Sequence, residues 1–175
     1  YLIRKYKAIM GYPLDLDNPS TFNEKLQWLK LYDRKPEYTM MVDKYKVREY
    51  IAYKLGEEYL IPLLGVWDSF DEIDFDKLPK QFVLKTNHSG GNTGVIIVSD
   101  KSKLNKVEAK KKLEKSLKSD VYRSYREWPY KGMDKKIFAE EYLGSDLVDY
   151  KFYCFDGDAD CVMLCIDRQI GAPKF

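Results

Sequence analysis

Lys85 stands shortly ahead of a small, polar stretch, His88-Ser89-Gly90-Gly91-Asn92-Thr93, which runs into Gly94. Glycines let backbone N–H groups approach anionic oxygens without side-chain obstruction, and a nearby ammonium neutralises the charge. That combination suits the phosphates of a nucleotide. It equally fits an ordinary hairpin turn beside an exposed lysine, and it matches neither GxxxxGKS nor GxGxxG. His88 is the one histidine of the chain, the residue type whose ordinary pKa lies nearest neutrality. Its place beside the glycines makes it a candidate phosphate or substrate contact, with a structural loop role as the alternative. No nucleophile pairs with it as a Ser–His or Cys–His hydrolase requires, and one histidine excludes an HExxH zinc site.

Two further groups can carry chemistry. Glu140-Glu141-Tyr142-Leu143 ends an apolar run with a short polar hinge, the form that offers an adenine ring a backbone donor and acceptor. A strand edge with solvated carboxylates reads the same way. Asp149 and Lys151, two apart on one strand, share a face. They either line a cleft, the acid on a sugar hydroxyl and the lysine on a phosphate or carboxylate, or form a surface ion pair worth under about 1 kcal/mol. The Lys-rich run 106–118 is interrupted by Glu108 and Glu114 and reads as a solvated helix face. Asp156-Gly157-Asp158 and Asp158-Ala159-Asp160 have the Asp-x-Asp lettering of sugar-nucleotide enzymes but fall in a turn.

The elements that must position these residues follow from periodicity and turn signals. Thr21 and Glu24 have capping-box spacing ahead of Phe22, Leu26, Leu29 and Tyr32, and Asp33-Arg34-Lys35-Pro36 stops that helix. Asp43 is a candidate N-cap for a second helix carrying Val47, Ile51 and Leu55, ended by Gly56. Residues 60–67, broken by Pro62 and Gly65, predict an edge strand or an extended segment. Residues 81–87 and 94–98 predict a hairpin with the glycine-rich stretch at its tip. A helix over 104–118 buries Ala109, Leu113 and Leu117, and 122–132 reads as a helix end and loop. Residues 137–143 predict a strand or hinge stopped by Gly144. Val148–Phe155 and Cys161–Asp167 predict two strands joined through Asp156-Gly157-Asp158. Helices followed by strand pairs define the class as α+β. The expected segments are a helical part at 1–77, a glycine-loop lobe at 78–136 and a hinge with the start of a second lobe at 137–175.

Composition narrows the function. Thirty basic against 28 acidic residues leave a net charge of +2 in 175 residues, which argues against nucleic acid as the main partner. No stretch approaches the roughly 20 apolar residues of a membrane span. Cys154, Cys161 and Cys165 lie in apolar runs without CxxC spacing, as expected of reduced core thiols in a reducing compartment. Fifteen tyrosines are expected on half-buried faces. The chain starts without Met and stops soon after its last strand, so a fragment of a longer protein is expected.

Together these segments resemble the TupA-like (teichuronopeptide-biosynthesis) family of the ATP-grasp superfamily. The resemblance rests on Asn-Pro-x-Thr-Phe-Asn-Glu-Lys-Leu-Gln-Trp-Leu-Lys at 18–30, Asp-Lys-Tyr-x-Val-Arg-Glu-Tyr at 43–50, and Leu-Pro-x-x-Phe-Val-Leu-Lys-Thr-Asn-His-x-Gly-Gly at 78–91. It continues through Glu-Glu-Tyr-Leu at 140–143 and Asp-Tyr-Lys-Phe-Tyr-Cys-Phe-x-Gly at 149–157. It implies an ATP-grasp-like fold and an ATP-dependent carboxylate–amine ligase working through an acylphosphate, with ATP, Mg²⁺ and carboxylate and amine substrates as partners. Lys85 would hold the α/β-phosphates, with Lys44 as a second phosphate lysine. Ser89, Gly90, Gly91, Asn92 and Thr93 would form the flap, and His88 would stand beside it. Glu140, Glu141, Tyr142 and Leu143 would be the adenine hinge, and Asp149 and Lys151 would line the ribose or phosphate side. The Mg²⁺ ligands are expected after Arg168, beyond the end of the chain, since Asp167 alone cannot make a two-metal clamp. A fragment lacking them would be inactive by itself. The setting would be a cytoplasmic step of bacterial cell-surface polysaccharide or polypeptide synthesis. The alternatives are a sugar-nucleotide-dependent glycosyltransferase and a non-catalytic module of a surface-polymer complex.

Overall fold

The structure, a computed structural model, describes residues 1–145 and 147–166. Four helices come first: α1 (Leu2–Met10), α2 (Phe22–Tyr32), α3 (Glu37–Val42) and α4 (Val47–Leu55). They are followed by β1 (Leu63–Trp67), β2 (Phe82–Thr86), β3 (Val95–Val98), α5 (Lys106–Lys118), α6 (Val121–Tyr125) and β4 (Ile137–Glu141). Two last strands, β5 (Asp149–Phe155) and β6 (Asp158–Cys165), make a separate ribbon. The mixture of helices with antiparallel sheets is the α+β class. By internal contacts the chain divides into two compact units, Tyr1–Glu141 and Tyr142–Phe175.

In the first unit β1, β4, β2 and β3 lie side by side in that order, all pairs antiparallel. The predicted edge strand is therefore at an edge, and the predicted hairpin is β2–β3, with Phe82 opposite Val98 and Lys85 opposite Val95. Strands from 1–77, 78–136 and 137–175 all meet in this sheet. Alternation along β2 sends Phe82, Leu84 and Thr86 inward, while Val83 and Lys85 stay half-buried on the other face. The inward face, with Val98, Ile137 and Ala139, packs on Ala109 and Leu113 of α5 and on Phe70, Ile73, Phe75 and Leu78. A helix carrying apolar residues at four-residue steps can cover one sheet face while its lysines remain in water.

Helix boundaries follow local hydrogen bonding. The Thr21–Glu24 capping box forms as its spacing predicts. Asp43 serves a turn earlier than expected. It is fully buried, and its Oδ1 accepts from the N–H groups of Tyr45 and Lys46 at 2.9 and 3.1 Å, so α4 proper begins only at Val47. Gly56, at φ 116°, ends that helix. Two helices carry no sequence reading above: α1, without a side-chain cap, and α3, which begins just after Pro36.

The second unit is the β5–β6 hairpin. Asp156 and Gly157 both have positive φ, 51° and 95°, the conformation that a two-residue type I′ turn requires. β6 starts at Asp158, so Asp158–Asp160 belong to the strand and the pairing is longer than predicted. Asp167, the expected end of this strand, lies outside the described residues. The expectation of core thiols fails for two cysteines: Cys154 and Cys161 are exposed, and Cys165 is buried. Among the described strands β5 and β6 pair only with each other, so alternation alone does not bury a residue here. Several tyrosines, including Tyr53, Tyr59 and Tyr150, are likewise largely exposed instead of half-buried.

Candidate functional site

The antiparallel register creates a charged cluster on the face of the sheet opposite α5. Glu140 of β4 is opposite Val83, and Lys85 is opposite Phe138. Glu140 and Lys85 are thus diagonal neighbours on one face, within reach of long side chains. The Lys85 ammonium donates to Glu140 Oε2 at 2.6 Å. The other carboxylate oxygen accepts from Arg48 of α4, Nη1 to Oε1 2.7 Å. The second nitrogen of Arg48 donates to the carbonyl of Ile61 at 2.6 Å. The three side chains retain 26% (Lys85), 8% (Glu140) and 13% (Arg48) of their exposure. Arg48 carries no site expectation from sequence. It lies inside the 43–50 motif, the one signal that pointed to it.

Lys44 adds a third cation. Its ammonium donates to the backbone carbonyl of Ser89, at the base of the glycine tip. Desolvation, then the charge of Lys85 close by, lowers its pKa from the ordinary lysine value, while Asp43 acts in the opposite direction. Three cations against the carboxylates of Glu140 and the buried Asp43 leave this cluster positive.

The loop is held from behind. Asn87 is fully buried. Its Nδ2 donates to Asp43 Oδ2 at 2.9 Å and to the Asp134 carbonyl at 2.8 Å, and its Oδ1 accepts from Lys136 N–H at 2.9 Å. One amide therefore ties the turn before α4 and the approach to β4 to the start of the loop. Ser89 and His88 also turn inward. The Ser89 hydroxyl bonds Thr86 Oγ1 at 2.8 Å, which in turn is 2.8 Å from the hydroxyl of Ser116 in α5. His88, 2% exposed, places Nε2 3.0 Å from the Ser116 carbonyl. A carbonyl only accepts, so Nε2 carries the proton. Nδ1 is buried with no hydrogen-bond partner among the described residues. Burial, the leading cause, lowers the pKa of His88. Gly94 closes the hairpin where a Cβ would come within 2.1–2.6 Å of the hydroxyls of Thr86, Ser89 and Ser116.

Between these buried posts Gly90, Gly91, Asn92 and Thr93 are exposed, and no heavy atom lies near where a Cβ would be on either glycine. Gly91 has φ +57°. Of the other expected site residues, Glu141 is exposed and donates its N–H to the Pro62 carbonyl at 3.1 Å. Tyr142 and Leu143 open the second unit, Tyr142 half-buried and Leu143 exposed. Asp149 and Lys151 lie on β5, opposite Cys165 and Met163. The first unit thus brings together Lys44, Lys85, Glu140 and the backbone of Ser89. The His88 imidazole goes to the α5 side of the loop. Among the described residues no three His, Cys, Asp or Glu side chains gather as a metal site. No helix among them is long and apolar enough to cross a membrane.

A positive sheet face thus lies beside a bare glycine tip. The family model described as TupA-like ATPgrasp matches residues 24–172, which sets the chain among ATP-grasp proteins and supports a generic, ligase-type role. Within that class the chain belongs to the TupA-like ATP-grasp family. No match was found among curated proteins or among solved structures.

Proposed function

We propose that this chain supplies the nucleotide-gripping part of an ATP-dependent carboxylate–amine ligase with the ATP-grasp fold, acting in the cytoplasm in bacterial cell-surface polysaccharide or polypeptide synthesis. In such a reaction a substrate carboxylate oxygen attacks the γ-phosphorus and ADP departs, leaving an acylphosphate. The amine then attacks the acyl carbon, the C–O bond to phosphate breaks, and the amine nitrogen loses a proton. The residues required are ones that position phosphates and neutralise charge, since no protein nucleophile takes part.

Lys85 and Lys44 fit that demand, standing on one face at the base of the Gly90–Gly91 tip. Lys85 would hold the α/β-phosphates and Lys44 a neighbouring oxygen. The amides of residues 90–93 would cover them, as backbone N–H groups do in other anion-binding turns. The Glu140 carboxylate is occupied by Lys85 and Arg48, and adenine recognition would fall to the backbone of the 140–143 hinge, with Leu143 giving an N–H. Asp149 and Lys151 would serve the ribose and phosphates. Mg²⁺ would supply further neutralisation, from ligands other than those described.

The observation that carries this reading is the net-positive cluster of Lys44, Lys85 and Arg48, three cations against the carboxylates of Glu140 and Asp43. A thermal-shift panel of ATP, ADP, AMP and UDP- and GDP-sugars tests it. ATP is expected to raise Tm, and Lys85→Ala to weaken ATP at least tenfold. Stabilisation by a sugar nucleotide and not by ATP would establish the glycosyltransferase alternative. No shift with any nucleotide would favour the non-catalytic one.

A further inference from the structure

Glu140 has one negative charge and two cationic partners, each on its own oxygen and each largely removed from water. The partners differ in how they are held. Arg48 is fixed at two points, Glu140 by one nitrogen and the Ile61 carbonyl by the other, and a planar guanidinium loses little freedom in doing so. Lys85 has one acceptor, a flexible stem and the greatest exposure of the three. Its ammonium is the member of the triad that can leave.

Leaving has a consequence for Glu140. A carboxylate with so little exposure that loses its only counterion is strongly disfavoured, so a simple Lys85–Glu140 pair would hold the lysine back from an arriving phosphate. With Arg48 still on Oε1, Glu140 remains compensated when Lys85 turns away. The shared carboxylate also divides its attraction between two cations, so neither is gripped as an isolated pair would be.

We propose that Arg48 is a positioning residue that makes Lys85 available: it satisfies Glu140 so that the Lys85 ammonium can pass from that carboxylate to an incoming phosphate. The role needs no contact between Arg48 and the nucleotide. This inference rests on the ATP-binding reading above, with Lys85 as the phosphate ligand.

The test combines two measurements on wild type, Arg48→Met, Arg48→Lys, Glu140→Gln and the double variant Arg48→Met/Glu140→Gln. The first is the reactivity of Lys85 toward trace acetic anhydride, read by mass spectrometry without any nucleotide. The expected order is Glu140→Gln fastest, wild type next and Arg48→Met slowest, because an undivided carboxylate holds the ammonium more tightly. The second is calorimetric titration with Mg·ATP. Arg48→Met is expected to weaken ATP at least tenfold and Arg48→Lys less, while Glu140→Gln binds as well as wild type or better. The double variant is expected to recover most of the Arg48→Met loss, which a merely structural role for Arg48 would not produce.

Unchanged Lys85 reactivity in Arg48→Met, or a double variant as weak as the single one, would overturn the proposal. Should Arg48→Met fail to fold, Glu140→Gln decides: slower labelling or weaker ATP there overturns it equally. Absence of ATP binding in the wild type would instead overturn the function proposed above, and the labelling order would still test whether Arg48 releases Lys85 from Glu140.

Discussion

Asn87 and Asp43 are joined by a 2.9 Å hydrogen bond between two fully buried side chains. Because the same amide also serves the Asp134 carbonyl and the Lys136 N–H, its loss would strip partners from three groups at once. Asn87→Ala is expected to destabilise the first unit by about 2–3 kcal/mol, since each buried polar group left without a partner costs about 1–3 kcal/mol. Urea denaturation measures this, and a loss well under 1 kcal/mol would mean that water or a rearranged side chain replaces the amide.

Gly94 answers for the closure of the hairpin. Gly94→Ala would force its methyl into the Thr86, Ser89 and Ser116 hydroxyls, all nearer than 3 Å. Overpacking of this kind costs about 1–3 kcal/mol. Equal substitutions at Gly90, where space is open, should leave Tm nearly unchanged. Similar Tm shifts at the two positions would remove the argument for a close approach at residue 94.

His88 gives stability a dependence on pH. Its pKa in the folded protein is lowered from 6.5, chiefly by burial. Below about 6.5 the unfolded chain takes up a proton that folded His88 does not, so stability is fully present above that value and falls as the pH drops through it. Chemical denaturation from pH 8 to 5 should show wild type losing stability relative to His88→Gln. Parallel profiles would mean that His88 binds protons equally in both states.

Glu24 acts in a lower window. Its carboxylate accepts from the N–H groups of Thr21 and Ser20 at 2.9 and 3.1 Å, and these bonds, with that of Thr21 foremost, lower its pKa from 4.5 to about 2. The stabilisation is present above about 4.5 and disappears as the pH falls toward about 2. Wild type should therefore exceed Glu24→Gln in Tm at pH 7, with the gap closing as the solution is acidified through that range. A gap that persists at pH 2 would assign the difference to packing.

Local signals were legible and long-range ones were not. The alternation of Phe82, Leu84 and Thr86 against Val83 and Lys85, the capping box of α2, the apolar steps of α5 and the Asp156-Gly157 turn all depend on neighbours in sequence. Each could be read before any fold was known. Asp33-Arg34-Lys35-Pro36 does end α2, but proline also suits a helix's first turn, and the start of α3 after Pro36 was not read from it. Lys85 was readable as a cation near glycines, whereas Lys44, distant in sequence, entered only through the family resemblance. The partnership of Glu140 with Arg48 was not, because 92 residues separate them and only the sheet register turns Glu140 to the same face as Lys85. His88 illustrates the same limit: its position beside glycines gave no sign that its ring would be buried against α5.

The glycine tip has one more implication. Ser89 is anchored through its hydroxyl to Thr86, and Gly94 through its carbonyl, which accepts from the Thr86 N–H at 2.9 Å, leaving four residues, 90–93, spanning the gap between fixed ends. Four residues reach at most about 14 Å when fully drawn out. Any excursion of that segment is thereby leashed: it can rise or fall over the lysines like a short awning, but it cannot sweep across the sheet without first uprooting one of its stakes.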